Sequence, residues 1–327
     1  MSTPIIDFHP STLEETLREE AIESLRANRI DPKFLYITPH QTELWRQVFL
    51  KHSPIHGNPE FTRIYREAYA QVALQFQNRN IALIGLGCGT GLKERDLYSI
   101  LQASHCDVRF SAIDVSHNLV LESVQKLTKA GASHRRSLVS DLTQTDFLKS
   151  WLDRFENDLP RVMTFFGLAP NFIPSVMAHL LRAALRPGDV LLASAHLAPA
   201  RNENREEIAA AMNSILPQYH NRETFAWLSA ALQHWDLEDL VETPEIKVRE
   251  MEGVPAFLAS TRWKSSLPFE RWGHRFSPKT EDPLRLFFSL RYTLALFEEV
   301  LRREGFVFEL LSLTSCRQEA IWCIRRA

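Results

Sequence analysis

A short apolar run that ends in a glycine-rich loop constrains the fold of this chain more than any other feature. Residues 80–91 read NIALIGLGCGTG, and glycine occupies four alternating positions: Gly85, Gly87, Gly89 and Gly91. Because glycine adopts positive φ and has no Cβ, this pattern predicts a buried strand and a loop whose main chain contacts a bulky ligand. A dinucleotide-binding G-x-G-x-x-G pattern would need glycine at one of two positions that Thr90 and Leu92 occupy. The spacing therefore disfavours a nicotinamide-dependent dehydrogenase.

The G-x-G-x-G spacing instead resembles motif I of the class I S-adenosylmethionine (SAM) dependent methyltransferases, in which the loop wraps the methionine part of SAM. An ordinary strand-to-helix turn would also account for a glycine loop, so the elements that follow must agree with the resemblance. The resemblance implies a cofactor site made of Gly85, Gly87, Cys88, Gly89, Gly91 and Lys93.

The apolar runs after the loop end in residues suited to binding a nucleoside. The run over residues 108–113 ends at Asp114 and Val115, where a Rossmann-like sheet places a carboxylate that accepts hydrogen bonds from ribose. Asp114 could alternatively cap a helix that begins near Ser116, although Ser116 can serve as that cap itself. The resemblance implies further cofactor contacts in the runs SLVSDL and RVMTFFG, at Asp141, Leu142, Phe166 and Gly167.

The composition is that of an ordinary soluble protein: of 327 residues, 45% are hydrophobic and 24% are charged. The net charge of -2 provides no basic face for a nucleic acid, so we expect a small-molecule acceptor. The four cysteines form no C-x-x-C pair, which indicates no metal site and no disulfide framework and favours a reducing cytoplasm. Neither an export signal nor a membrane-spanning run is recognisable. A monomer is plausible, although the sequence does not set the oligomeric state.

The chain divides into three parts in this interpretation. Residues 1–70 form an N-terminal helical segment that contributes to the pocket, with a capping box at Ser11 and Glu14. Residues 71–197 and 284–327 form the α/β domain, a Rossmann-like class I methyltransferase sheet of seven strands that ends in an antiparallel hairpin. Residues 198–283 form an inserted, smaller α+β substrate domain. This insertion and the N-terminal segment are expected to cover the open end of the sheet.

A narrower resemblance covers most of the chain. The segments PKFLY, AIDVSHNLV, FFGLAPNF and LRPGDVLL, in this order around the glycine loop, are similar to those of the histidine-specific, SAM-dependent Nα-methyltransferases of the ergothioneine-pathway type. The resemblance implies that Asn171 holds and orients the acceptor amine and that Tyr36 lines the pocket. From the residues alone, Asn171 could also be a helix N-cap, and Tyr36 could be a core residue.

The acceptor-binding motifs depart from the family pattern. The segment LRLFFSLRYT keeps a family serine at Ser289 but has Phe287 in place of an imidazole-binding glutamate, and Met212 replaces a carboxylate-binding tyrosine. His52 and His56, in a loop that replaces another family motif, are candidate bases or pocket donors. These changes predict an amine acceptor that is less polar than histidine or aromatic, and restored histidine turnover in Phe287→Glu. Two alternatives stay open: SAM binding without transfer, and methylation of histidine itself.

Overall fold

Apolar segments that alternate with amphipathic helices build a sheet covered on both faces. The computed structural model describes residues 4–202 and 204–327. Its strands are β1 (Ile6–Phe8), β2 (Asn80–Leu86), β3 (Asp107–Asp114), β4 (Ser133–His134), β5 (Ser137–Val139), β6 (Arg161–Phe166), β7 (Val190–His196), β8 (Glu245–Met251), β9 (Val254–Arg262), β10 (Phe269–Arg271), β11 (His274–Phe276), β12 (Pro283–Leu290), β13 (Phe306–Leu313) and β14 (Glu319–Arg326). Its helices are α1 (Glu14–Arg26), α2 (Pro39–His52), α3 (Pro54–Gly57), α4 (Pro59–Gln75), α5 (Leu92–Ala103), α6 (His117–Lys129), α7 (Thr145–Phe155), α8 (Pro174–Ala184), α9 (Arg205–Ile215), α10 (Arg222–His234) and α11 (Leu294–Arg303), and short 3-10 turns cover Pro10–Thr12, Pro32–Leu35, Ala169–Asn171 and Leu216–Gln218.

The main sheet has the strand order β1-β5-β3-β2-β6-β7-β14-β13, and β4 pairs with β3. Strands β5, β3, β2, β6 and β7 are parallel, whereas β14 is antiparallel to β7 and to β13. The predicted α/β class with a terminal antiparallel hairpin is thereby confirmed. In the described part of the chain, β1 and β4 enlarge the predicted sheet of seven strands to nine.

Two apolar cores lie on the two faces of this sheet. On one face, α4, α5 and α6 pack against residues such as Leu83 and Phe110. On the other face, α7, α8 and α11 pack around Phe165 and Trp322. Parallel strands buried on both faces read as nearly continuous apolar runs, which is why these strands are visible in the sequence.

A second, three-stranded sheet with the order β12-β9-β8 supports a third core. This core contains Trp227, Trp235 and Trp263, and α1 and the turn Pro32–Leu35 contribute to it. The inserted region and the N-terminal segment therefore share one core. The predicted boundary between residues 283 and 284 falls inside β12, because this strand pairs with β9 and extends the small sheet to Leu290.

The predicted capping box at Ser11 is wrong. Helix α1 begins at Glu14 with Leu13 as its N-cap, and Ser11 lies in the preceding 3-10 turn. The Ser11 hydroxyl instead accepts a hydrogen bond of 3.2 Å from the backbone N–H of Asp141, which ties the N-terminal segment to the end of β5. Among the described helices, none is long and apolar enough to cross a membrane.

Candidate active site

A cavity of about 730 Å³ lies beyond the carboxyl ends of the central strands. In open α/β sheets this edge is the usual ligand site. The sheet side of its wall comes from the segments that follow β2, β3, β5 and β6. The opposite side comes from α1, the segment over residues 29–36, α2, the hairpin between β8 and β9, and β12. The N-terminal segment and the small sheet thus cover the open end.

The four glycines of the loop have two different roles. Gly87 and Gly89 line the cavity, with φ angles of 61° and 49°. Gly85 and Gly91 do not line it, in contrast to their predicted cofactor contact. A Cβ at Gly85 would lie 2.9 Å from the Cβ of Cys88, and a Cβ at Gly91 would lie 2.8 Å from the Cα of Ser123 on α6. Gly87 permits close packing as well, because a Cβ there would lie 2.1 Å from Cδ1 of Leu168.

Asp114 joins the glycine loop to the end of β3. Its carboxylate accepts hydrogen bonds from the backbone N–H groups of Gly89 at 3.1 Å and Ser116 at 3.0 Å. Burial raises the pKa of Asp114 to about 6, although these hydrogen bonds oppose the rise. The Ser116 hydroxyl does not cap α6 and lies 3.1 Å from the Thr42 hydroxyl instead. Asp114 therefore places a carboxylate at the cavity wall and also accepts a hydrogen bond from the N-cap residue of α6.

Behind the loop, Lys93 ends a buried polar network. Lys93 lines the cavity, and its Nζ donates a hydrogen bond of 2.7 Å to the Tyr65 hydroxyl, which in turn donates one of 2.5 Å to Glu319. His196 Nδ1 lies 2.5 Å from the other Glu319 oxygen. Burial alone would raise the pKa of Glu319, but His196, Lys93 and Tyr65 together lower it to about 2. Burial lowers the pKa of Lys93. The network holds an ammonium group beside the glycine loop.

Asp141, Leu142, Val115, Phe166 and Gly167 all line the cavity. The Asp141 carboxylate also forms an ion pair of 3.1 Å with Lys33, which pairs in turn with Glu20. Lys33 was not predicted as a site residue, although it belongs to the segment PKFLY. The ion pair fixes the N-terminal segment over the end of β5.

Three aromatic side chains form one wall of the cavity. Tyr36 and Trp45 have ring centroids 6.0 Å apart, and Trp45 stacks on Phe49 at 5.5 Å with an interplanar angle of 10°. Trp45 lies directly over the loop, because a Cβ at Gly89 would come within 3.3 Å of its ring. Burial, and then the charge of Asp114, raises the pKa of Tyr36, which stays a neutral phenol. The sequence reasoning missed Trp45 and Phe49, whose spacing of four residues places them on one helix face.

Asn171 lies at the cavity wall in the 3-10 turn Ala169–Asn171 that follows β6. It is not the N-cap of α8, because Ile173 occupies that position. In residues 4–202 and 204–327, its side-chain amide has no hydrogen-bond partner. The amide is therefore available to a ligand.

Three predicted acceptor residues do not line the cavity. His52 Nε2 lies 3.0 Å from a Glu223 oxygen, and the His56 ring packs edge-on against Phe49 at 4.7 Å. Met212 is buried in the third core. The loop over residues 52–63 is taken up by α3 and the start of α4, so its histidines face neighbouring helices.

Phe287 and Ser289 also fail to reach the cavity. The register of β12 shifts between Arg285 and Phe287, because the extra residue Leu286 forms a bulge. Phe287 consequently packs against Trp227 at 5.2 Å in the third core, and Ser289 accepts a hydrogen bond of 3.1 Å from Tyr219. The residues of β12 that line the cavity are Arg285 and Phe288.

The residues around this cavity fit SAM. Gly87 and Gly89 bring main chain to the cavity wall, Asp114 presents a buried carboxylate suited to ribose hydroxyls, and Lys93 presents an ammonium suited to a carboxylate. Together with a parallel sheet closed by an antiparallel hairpin, this site defines a class I SAM-dependent methyltransferase.

The comparison with protein families identifies the family. The model of the family described as "Histidine-specific methyltransferase, SAM-dependent" matches residues 17–316. The chain therefore belongs to the histidine-specific, SAM-dependent methyltransferase family, which confirms the resemblance and SAM as the cofactor. A search of curated proteins finds no match.

Solved structures similar to this chain include several methyltransferases. SAM-bound CalS10, an amino pentose methyltransferase from Micromonospora echinaspora, is 12% identical over 80% of this chain and 91% of its own, with a TM-score of 0.37. CcbJ methyltransferase from Streptomyces caelestis is 14% identical over 80% and 95%, with a TM-score of 0.38. The 1,6-didemethyltoxoflavin-N1-methyltransferase of Burkholderia thailandensis is 11% identical over 94% and 90%, with a TM-score of 0.42.

Proposed function

We propose that this protein is an N-methyltransferase that methylates the amine of a small molecule, an amino acid or derivative with a side chain less polar than histidine or aromatic. The observation that carries this proposal is the wall of Tyr36, Trp45 and Phe49 in the same cavity as the unpartnered amide of Asn171. An aromatic wall favours an apolar or aromatic body, and a free amide suits an amine N–H.

The residues contribute position and environment rather than a nucleophile. SAM supplies a methyl group on a positively charged sulfur, so an acceptor needs only a free lone pair directed at that methyl group. The Asn171 carbonyl would accept a hydrogen bond from an amine N–H and so direct the lone pair. The aromatic wall excludes water, which favours the neutral amine, and ring faces stabilise the cationic methylated product by about 0.5–2 kcal/mol.

The proposed acceptor preference does not depend on Phe287. Because Phe287 is buried in the third core, it cannot replace an acceptor-binding glutamate on the cavity wall. The preference now rests on the aromatic wall and on Phe288. The proposed site of action is the reducing cytoplasm, where the four free cysteines, including the exposed Cys316, would stay as thiols.

Calorimetry and turnover together test the proposal. We expect binding of S-adenosylhomocysteine but negligible binding of NADH, and N-methyl products from tryptophan, tyrosine or phenylalanine followed by mass spectrometry. Asn171→Ala should lower kcat/KM and leave the affinity for S-adenosylhomocysteine unchanged. Binding without turnover of any amine would favour a SAM-binding protein without transferase activity. Efficient turnover of histidine by the unchanged protein would instead contradict the proposed preference.

A further inference from the structure

Glu94 is a buried acidic residue that the proposed reaction does not use. It is the third residue of α5, is 3% exposed and lines the cavity. The absence of a side chain at Gly85 makes room for it, because a Cβ there would lie 3.4 Å from the Glu94 Cγ. Glu94 therefore brings a carboxyl group to the base of the glycine loop.

The Glu94 carboxyl group has no cationic partner among residues 4–202 and 204–327. Its Oε1 accepts a hydrogen bond of 2.8 Å from the Thr164 hydroxyl on β6, and it forms no ion pair. Burial raises the pKa of Glu94 to about 7, although the Thr164 hydroxyl and the charge of Lys93 oppose the rise. The charge of Asp114 adds to the effect of burial. A buried carboxylate of this kind is costly to ionise unless a cation binds to it.

The neighbouring residue, Lys93, brings the opposite charge to the same wall. Lys93 also lines the cavity, and its Nζ lies 5.6 Å from the centre of the Phe166 ring and 4.0 Å from where a Gly167 Cβ would lie. Phe166 and Thr164 are two residues apart on β6, so their side chains point to the same face of this strand. The Lys93 ammonium and the Glu94 carboxyl group thus lie along one face at the end of β6, and they form no ion pair with each other.

Both groups can form further hydrogen bonds with a ligand. The Lys93 ammonium has three N–H donors, of which the Tyr65 hydroxyl accepts one, and the same ammonium contacts the Tyr65 ring at 4.5 Å. A carboxylate has about four acceptor positions, and Thr164 uses one of those of Glu94. The wall therefore offers a donor and an acceptor of opposite charge side by side.

The chemical complement of this pair is an α-amino acid in its zwitterionic form. The methionine part of SAM carries an ammonium and a carboxylate, with the nitrogen and the carboxyl carbon only about 2.5 Å apart. The Lys93 ammonium suits the carboxylate, which leaves the ammonium of SAM in need of an acidic partner. Asp114, the other buried acid of this wall, is less suited, because its carboxylate already accepts hydrogen bonds from two backbone N–H groups.

We propose that Glu94 binds the ammonium group of SAM beside Lys93. Two consecutive residues at the start of α5 would then recognise the two charged groups of the methionine part. This inference goes beyond the proposed function and concerns the cofactor, so it does not depend on which amine is methylated.

Calorimetry on the full-length protein at pH 8, above the pKa of Glu94, tests this assignment. The probes are S-adenosylhomocysteine and its deaminated analogue, in which butanoate replaces the amino-acid part and only the ammonium is missing. E94Q keeps the shape of the side chain and the acceptor for Thr164, and E94D keeps the charge on a shorter side chain. Asp96, an exposed acid on the same helix, provides the matched control D96N.

We expect the unchanged protein and D96N to bind S-adenosylhomocysteine roughly ten- to a hundredfold more tightly than the deaminated analogue, the effect of one charged hydrogen bond. E94Q should lose most of this preference, and E94D should keep part of it. Equal binding of the two probes by the unchanged protein would overturn the proposal.

Two results with the variants would overturn it as well. If E94Q bound both probes more weakly by the same factor, Glu94 would only support the shape of the loop. If E94Q folds poorly, E94D decides, because an undiminished preference in E94D would show that the ammonium is bound elsewhere. These are binding data, so they stay independent of whether any amine is methylated.

Discussion

Asp114 is the side chain on which we expect cofactor binding to depend most directly. Asp114→Asn keeps the shape of the side chain but removes the charge that accepts ribose hydroxyls, so the affinity for SAM should fall by roughly 1–3 kcal/mol. Asp107→Asn, at the exposed opposite end of β3, is the control and should bind SAM normally. Calorimetry measures both, and equal affinities would show that Asp114 does not contact the ribose.

The raised pKa of Asp114 predicts that stability and SAM affinity change in opposite directions with pH. Burial raises the pKa of Asp114 to about 6 and that of Glu94 to about 7, so folding favours their protonated forms. Their contribution to stability is complete below about pH 4 and is lost as the pH rises through 6 and 7. The contribution of Glu319, whose pKa is about 2, is lost only in stronger acid.

In urea unfolding without ligand, the unchanged protein should therefore lose more stability between pH 5 and pH 8 than Asp114→Asn, by on the order of 1–3 kcal/mol. SAM affinity should change in the other direction, because the ionised Asp114 is the form that binds ribose. Asp114→Asn should weaken the pH dependence of both the stability and the SAM affinity. The same pH dependence of stability in Asp114→Asn and in the unchanged protein would contradict the assignment.

Close packing against neighbouring elements constrains the glycine loop, in addition to any contact with a ligand. Gly91 combines a φ of 69° with contact against α6, whereas Gly188 has a φ of 92° and open space around its Cβ position. Gly188→Ala should thus cost about 1–2 kcal/mol for backbone strain alone. Gly91→Ala should cost roughly 1–3 kcal/mol more for overpacking, which denaturant unfolding can resolve. Equal losses would show that Ser123 moves aside freely.

The bulge in β12 decides which of two neighbouring phenylalanines faces the cavity: Phe287 lies in the third core and Phe288 lines the cavity. Phe287→Ala should lower stability by about 3–5 kcal/mol with little change in acceptor choice, because its ring packs on Trp227. Phe288→Ala should change acceptor choice. Phe287→Glu, expected from the sequence to restore histidine turnover, should instead destabilise the fold by burying a carboxylate. Restored histidine turnover would show that the strand can shift its register.

The sequence predicts features that a short segment encodes better than features that depend on contacts between distant segments. The strands of the main sheet are continuous apolar runs and the loop glycines have a recognisable spacing, so the sequence indicates Asp114, Lys93 and Asn171, which all line the cavity. A one-residue bulge leaves the local hydrophobic pattern almost unchanged, so the side of β12 occupied by Phe287 could not be predicted. Arg29, Lys33 and Trp45 reach the site through contacts between distant segments, which one sequence does not reveal.

Between distant parts of the chain, a buried hydrogen bond joins the inserted region to the segment over residues 29–36, which covers the cavity. Trp227 Nε1 on α10 donates to the Leu35 carbonyl at 3.0 Å, next to Lys33 and Tyr36. Trp227→Phe should cost about 1 kcal/mol and weaken SAM binding, because the cover is held less firmly. Trp263, whose buried Nε1 has no hydrogen-bond partner among the described residues, is the matched control: Trp263→Phe loses packing but no hydrogen bond, so it should leave SAM binding unchanged. Thermal unfolding and calorimetry distinguish the two.

The hydrogen-bonded network of Lys93, Tyr65 and Glu319 can form only late in the synthesis of the chain. Lys93 is held by Tyr65, and the Tyr65 hydroxyl bonds to Glu319, 254 residues later in the chain. At synthesis rates of about 5–20 residues per second, roughly 10–45 s pass between the translation of Lys93 and that of Glu319. A nascent chain that already contains the loop and Asp114 therefore lacks the carboxylate that balances the buried ammonium. We expect such ribosome-bound chains to gain little protection from SAM until β14 has emerged and paired with β7.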